Sequence, residues 1–408
     1  MVMPVTKKIH SERIHHAFEA GRRGKPDELD AGLAHLVGAY FLELEPNARF
    51  DLRVTGSYTD KPTVRVSGEV SARLLSSPHV EEALSNIIRE HYNNIQRSHL
   101  PTEDITIQFN LKPQSDELAA NDASGDSGYA IAVAYKDAPL HLPWERYAAV
   151  GIRDLLDTIY LNGGVVPGEL AKASGVALLP GLRADGKIGV EAIYEGTTFL
   201  GFKSITLATE HEEALPVEEL RVKVQKLIHA YLQNIGNPAP DDIEINGLGG
   251  WHEGGWKVDE GSREAKSYRD GFASYGVVED SFSGEDPTKP SGTGTFLARY
   301  IAVQLVHNHL CDFARVALSY RIGRDDVGLN ITTQNTARIS QQELEDWIRK
   351  YVPLSIKETI AVFHLRDAEL YRRIVESSDF FQNPDFPWNK PWSMAQSGAA
   401  YNEARKKR

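Results

Sequence analysis

The sequence predicts an α+β protein in which several mixed or antiparallel sheets are each backed by helices. Segments that alternate apolar and polar residues recur along the chain, and each group of them is followed by a run with helical spacing. This pattern of strands and then a helix occurs about three times without sequence repetition, and no Pro-, Gly- or Ser-rich linker separates the groups. The 408 residues are therefore expected to form one compound unit, not independent domains.

Residues 1–23 are polar and basic, with His10, His15 and His16 scattered among charges, and are expected to form a surface segment. From Pro26, apolar residues Leu29, Leu33, Leu36, Val37, Tyr40 and Phe41 recur at intervals of three and four. This predicts an amphipathic helix with proline in its first turn and Asp27 and Glu28 at the positive end of its dipole. Phe50 to Ala72 alternates and predicts two strands joined near Asp60-Lys61-Pro62. A helix from about His79 to Gln96, a strand from Ile105 to Leu111 and a polar loop from Pro113 to Ser127 follow. Gly128 to Tyr135 reads as a strand and Pro143 to Tyr160 as a helix stopped by Asn162-Gly163-Gly164.

Two further strands, Ile188 to Tyr194 and Thr198 to Thr209, turn at Glu195-Gly196. A helix after Pro216 carries Leu220, Val224, Leu227, Ile228 and Tyr231 on one face. A loop rich in glycine and tryptophan occupies Asn246 to Gly261, and a helix is expected over 295–310. Strands at Phe313 to Ile322 and Gly328 to Thr333 follow, and Ser340-Gln341-Gln342-Glu343 has capping-box spacing ahead of another helix. The chain ends in an aromatic, proline-rich segment containing FFQNPDFPWNKPW.

Composition narrows the function. Apolar residues make up 41% and charged residues 25%, as in soluble globular proteins. A net charge of −12, with only the terminal Arg405-Lys406-Lys407-Arg408 as a basic run, argues against nucleic acid as a partner. Cys311 is the single cysteine, so an intrachain disulfide cannot form, a thiolate metal cluster has no support, and a reducing, cytoplasmic setting is expected. No stretch approaches the roughly 18 consecutive apolar residues of a membrane span, and the N-terminus has no uninterrupted apolar run of a secretion signal.

The stretch with most chemical content is SFSGEDPTKPSGTGTFLARY, Ser281 to Tyr300. A glycine-rich loop entering a helix can offer backbone N–H groups and the positive end of a dipole to an anion, and Lys289 adds a charge there. The spacing is not that of a P-loop, and an ordinary helix-entry loop is the competing reading.

SGEDPTK followed by TFLARY resembles the SGKDxxK stretch of S-adenosylmethionine synthetases, the methionine adenosyltransferases. Other segments are similar to that family in the same order, from near residue 20 to residue 392. GKPDELDAGLAHLVGAYFLELEPNAR from Gly24, SGEV from Ser67 and SGDSG from Ser124 each have counterparts. So do LPGLRADGK from Leu179, LATEHEE from Leu207, DEGSREAKSYRD from Asp259 and the terminal FPWNKPW.

The resemblance implies three similar subdomains, approximately 1–125, 126–260 and 261–408 and interleaved. It also implies a homodimer or dimer of dimers with active sites at the interface. The implied reaction makes S-adenosylmethionine from ATP and methionine with Mg²⁺. Methionine sulfur attacks C5′ of ATP and expels triphosphate, which is hydrolysed to pyrophosphate and phosphate. No covalent enzyme intermediate is needed, so placement and charge stabilisation carry catalysis.

On that resemblance Lys187, Lys266 and Lys289 fall at triphosphate contacts, Asp27 at a magnesium ligand, and Glu69 and Asp126 at the acids that hold methionine. Asp259 falls where the two substrates meet. Taken residue by residue, Asp126 also suits an Asx turn and Lys187 an ordinary turn. Glu69 follows Gly68 in a β-branched strand, where an unpaired buried carboxylate would be costly.

Several positions depart from the family. Lys25 replaces a histidine, Glu285 a lysine and Ser291 an acid. Ala265 stands where the family has an arginine, with Arg263 close enough to substitute. Arg53 stands where an acid binds a monovalent cation, so potassium is expected not to be required. The Leu111 to Asp126 loop is also shorter than the family's mobile gate. These departures leave three further readings open: adenosylation of another nucleophile, hydrolysis of triphosphate alone, or a non-catalytic scaffold subunit.

Overall fold

A computed structural model describes residues 13–96, 105–121, 123–261, 271–276 and 283–391. The described elements, in chain order, are β1 (Arg13–Gly21), α1 (Pro26–Leu44), β2 (Phe50–Tyr58), β3 (Pro62–Val70), α2 (Ala72–Leu75), α3 (Val80–Gln96), β4 (Thr106–Pro113), α4 (Asp116–Ala119) and β5 (Gly128–Tyr135). They continue with α5 (Trp144–Leu161), α6 (Gly168–Ser174), β6 (Leu182–Glu195), β7 (Thr198–His211), α7 (Val217–Asn234), β8 (Asp242–Ile245) and α8 (Pro290–His307). The last are β9 (Phe313–Tyr320), β10 (Gly328–Thr332), α9 (Gln341–Tyr351), α10 (Ile356–Phe363) and α11 (Ala368–Ser377).

The strands form three sheets, ordered β1-β6-β7-β8, β10-β9-β5 and β2-β3-β4. Neighbours are antiparallel except β3–β4 and β7–β8, which are parallel, so the α+β class with mixed and antiparallel sheets holds. Two of the sheets join strands distant in sequence: β1 pairs with β6, and β5 with β9.

Two helices run through the interior. α1 packs on β2, α3 and α11, and Leu29, Leu33, Val37 and Phe41 are fully buried. α8 is buried over almost its whole length against β5 and β9. A Cβ on Gly294 would sit 2.7 Å from the Tyr320 ring and 2.9 Å from Ala130 Cβ, so glycine there permits the close helix–sheet approach. The C-terminal aromatics close the core on the other side of α8. Trp388 is fully buried, stacks on Phe296 at 3.9 Å and donates its indole N–H to the Phe380 carbonyl.

Two local expectations change. Residues 13–21 are not an irregular surface segment but strand β1, whose backbone completes the edge of β6; His16 stacks on Tyr275 at 4.1 Å. The helix expected over 295–310 begins at Pro290, with Lys289 as its N-cap. Proline's fixed φ suits the first helical position, so the helix takes in Gly292 and Gly294 and the preceding loop is shorter than composition suggests. Elsewhere the paired strands, the Pro26 helix and the Ser340 capping box lie where expected.

Candidate active site

β2 and β3 turn one face to the core and the other outward. Leu52, Val54, Val64 and Val66 point inward, and the alternate positions carry polar residues. Register places Asp51 opposite Glu69 and Glu69 opposite Lys112, while Arg53 lies opposite Ser67 one row along. Gly68 makes this geometry possible. Its φ is +134°, and a Cβ there would fall 2.0 Å from the Asp51 carbonyl oxygen.

Two carboxylates directly opposite on neighbouring strands repel, so cations are needed beside them. Lys112 Nζ lies 3.1 Å from Glu69, and Lys289 Nζ donates to Asp51 at 3.0 Å and to Asp126 at 2.8 Å. Lys289 is only 7% exposed. Burial alone would weaken its ammonium, but the hydrogen bond it donates to Asp126 and the charge of Asp51 outweigh that and raise its pKa. It is a fixed charge locked between two acids.

The turn before Lys289 is set by Asp286, which is 1% exposed. Its Oδ1 accepts from the Thr288 N–H and hydroxyl, and its Oδ2 from Arg49 Nε and the Phe50 N–H. Glu285 bridges to the Asp51 backbone and accepts a hydrogen bond from the Ser291 hydroxyl. Both departures from the family pattern at this turn therefore bond to each other.

A second group forms at the start of α1. Gly24 donates its N–H to the Ala184 carbonyl, and a Cβ there would come within 2.6 Å of the Ala184 backbone, so the chain enters α1 pressed against β6. Arg22, fully buried, anchors this entry through Asp157 at 2.9 Å and Thr209 at 2.7 Å. Lys25 caps the helix, with Nζ 2.7 Å from Asp27 and 3.7 Å from Asp259. Burial opposes its charge, but the hydrogen bond of Asp27 and the charges of Asp185 and Asp259 raise its pKa.

Asp185 is buried and accepts the Gly255 N–H at 2.6 Å; burial raises its pKa, and burial with Asp185 nearby pushes Glu210 up to about 6. Trp256 locks the 246–261 loop onto this group. Its indole N–H donates to Asp30, its ring stacks on Tyr92 at 4.9 Å, and it fills the space a side chain at Gly56 would need.

Lys187 pairs with Gly21 in register, so both Cβ directions share one face. A Cβ on Gly21 would lie 3.2 Å from Lys25 Cδ, which brings Lys25 over the face from which Lys187 projects. Lys187 is half exposed and pairs with Glu19 at 3.2 Å. One chain thus carries two charged groups, one at the N-terminus of α1 and the other along β2 beside the middle of that helix: Asp30 meets Gly56, while Gly284 lies against Ala34 and Gly38 against Phe50.

Glu69, Asp126 and Lys289 fall in the first group with Glu285, Ser291 and Arg53 on or beside the same face; Lys25, Asp27, Asp259 and Lys187 fall in the second. Arg263 and Lys266 lie outside the described residues. Sequence reasoning missed Asp51, Asp185, Glu210 and Trp256. Only the tryptophan, among glycines, had left a visible signal.

Among the described residues no three His, Cys, Asp or Glu side chains cluster as a metal cage. Mg²⁺ is usually held by one or two carboxylates with substrate phosphates. The half-buried Asp27 carboxylate, with Asp259 converging on the same ammonium, fits that smaller donor set.

Residues 254–390 match the family described as S-adenosylmethionine synthetase, C-terminal domain. An S-adenosylmethionine synthase of Aquifex aeolicus is 25% identical over 378 residues, covering 91% of this chain and 95% of the relative. One from Granulibacter bethesdensis is 26% identical over 406 residues, covering 95% and 96%. One from Nitratiruptor is 25% identical over 385 residues, covering 91% and 94%. The chain is thus similar from end to end, at low identity, to S-adenosylmethionine synthases, and its C-terminal part matches the C-terminal domain of that family.

Proposed function

We propose that the protein is a methionine adenosyltransferase, joining ATP and L-methionine into S-adenosylmethionine and releasing pyrophosphate and phosphate. The observation that carries this reading is that the side chains matching the family's substrate contacts gather in two places on the chain. The first group sets Asp51, Glu69, Asp126 and Glu285 against Lys289 and Lys112, a net negative balance that suits the ammonium of an amino acid. The second sets Lys25, at the N-terminus of α1, and Lys187, on β6, beside Asp27, Asp259 and Glu19, a set of both signs that suits phosphate oxygens accompanied by a divalent cation.

The sulfur lone pair forms the bond to C5′ as the C5′–O5′ bond breaks, and the electron pair leaves with the triphosphate. Lys25 and Lys187, with Lys266, hold the departing charge. Asp126 and Glu69 orient methionine, and Lys289 acts chiefly by fixing Asp126 and Asp51, a change from its expected role as a phosphate clamp. Mg²⁺, held by Asp27 and the nucleotide, would supply further neutralisation of the phosphates. The two groups occupy separate places on one chain, which supports completion of each site by a second copy, giving a homodimer.

Purified protein incubated with ATP, methionine and Mg²⁺, followed by mass spectrometry and phosphorus NMR, tests this reading. S-adenosylmethionine appearing with pyrophosphate supports it, and a chelator should abolish the product. The Glu285–Ser291 pair favours a second reading, because it adds negative charge where the family has lysine. Phosphate release without the sulfonium would indicate triphosphate hydrolysis or another nucleophile, and ATP binding without turnover would indicate a scaffold subunit.

A further inference from the structure

A cavity of about 650 Å³ opens behind the Lys289 turn, between the loop before β2 and the C-terminal helices. Arg49, Thr288, Lys357, Ile360, His364 and Arg366 are among its lining residues. Arg49 is 5% exposed. Its Nε is taken by Asp286 and its Nη1 by the Asn121 carbonyl, while its buried Nη2, beside Gly125 and Thr288, has no hydrogen-bond partner among the described residues. A buried guanidinium donor without an acceptor is uncommon and marks a place where an acceptor is wanted.

The charge around it is unbalanced in the same direction. Arg366 spends Nη1 on the Pro46 carbonyl. Burial lowers its pKa; Asp286 works the other way, while the nearby Arg49 charge lowers it further, so two guanidinium groups lean on one carboxylate. Lys357 is exposed at the start of α10, and the acid that lines the cavity, Asp367, has Oδ1 committed to capping α11 through the Glu369 N–H. Ile360, Ala361 and Ala120 add apolar surface to a wall that also carries Asn47, Asn121, Thr288 and His364. Cations, neutral polar groups and hydrocarbon around a space of ligand size suit an anion with a carbon skeleton.

We propose that this cavity binds a small organic anion bearing carboxylate or phosphate groups, recognised by Arg49, Arg366 and Lys357. The site shares Thr288 with the turn that positions Lys289 but uses none of the groups assigned to ATP or methionine.

Isothermal titration of the full chain with citrate and with glycerol phosphate, at constant ionic strength and without nucleotide, tests the proposal and separates the two anion chemistries. Saturable binding of one equivalent of at least one probe is expected. Lys357→Glu, at an exposed position that should not disturb folding, should weaken it about tenfold or more, and Arg366→Gln similarly. Lys187→Ala, at the proposed phosphate group, should leave it unchanged. Absence of saturable binding by both probes, unaltered binding in Lys357→Glu, or loss of binding in Lys187→Ala would overturn the assignment. None of these readouts depends on turnover, so the outcome is independent of the proposed reaction.

Discussion

Lys289 Nζ lies 2.8 Å from the Asp126 carboxylate, joining the N-cap of α8 to a loop 163 residues earlier in the chain. Its second bond, to Asp51, reaches back 238 residues. A single buried ammonium therefore ties the central helix to two acids of the β2–β3 group.

Lys289→Met should free both acids to repel each other and Glu69. The acids are about half exposed, so water screens much of the stability cost, and a loss of about 1–2 kcal/mol is expected by urea denaturation. The effect on turnover should be larger, about a hundredfold in kcat/KM, because the orientation of Asp126 is lost. Equal activity in the variant would remove Lys289 and Asp126 from the site.

Arg53 projects from the outward face of β2 one row from Asp51 and Glu69. A guanidinium is permanently charged. If it supplies the charge that a monovalent cation supplies in relatives, initial rates in sodium and in potassium buffers should agree. A rate that collapses in sodium and returns with potassium would refute that role.

Glu145 is buried and accepts a hydrogen bond from the Tyr194 hydroxyl at 2.8 Å; burial pushes its pKa up to about 7. The folded chain thus keeps a proton that the unfolded chain loses near pH 4.5. Stability from this group is full below that pH and declines as pH rises through about 7, by about 3 kcal/mol at most. Glu145→Gln should flatten this part of the stability profile between pH 5 and 8, measured by urea midpoints. An unchanged slope would mean that Glu145 does not titrate in this window.

Trp256, 3% exposed, is the plug that holds the glycine-rich loop over β2 and α1. Trp256→Ala removes a buried ring and leaves Asp30 with one donor fewer, at a cost of about 3–5 kcal/mol. Loosening of the loop that carries Asp259 should also raise KM for ATP more than it lowers kcat. Hydrogen exchange over residues 246–261 would report the loosening directly. Unaltered protection there would separate the loop from the ring.

The periodicity of apolar residues was enough to place α1 from Pro26, the β2–β3 hairpin, α7 after Pro216 and the Ser340 cap, because helix and strand spacing and capping are local properties. The ordered run of family-like segments likewise lay open in the sequence, and with it Glu69, Asp126, Lys25 and Asp27 as candidates. Tertiary structure alone decided that β1 is an edge strand of the β6 sheet, that Lys289 is locked between Asp51 and Asp126, and that Trp256 fills the space above Gly56. It also decided that one charged group lies at the N-terminus of α1 and the other along β2. Those outcomes depend on through-space pairing and on which side chains lose water, and neither quantity has a period or a spacing that a linear chain can display.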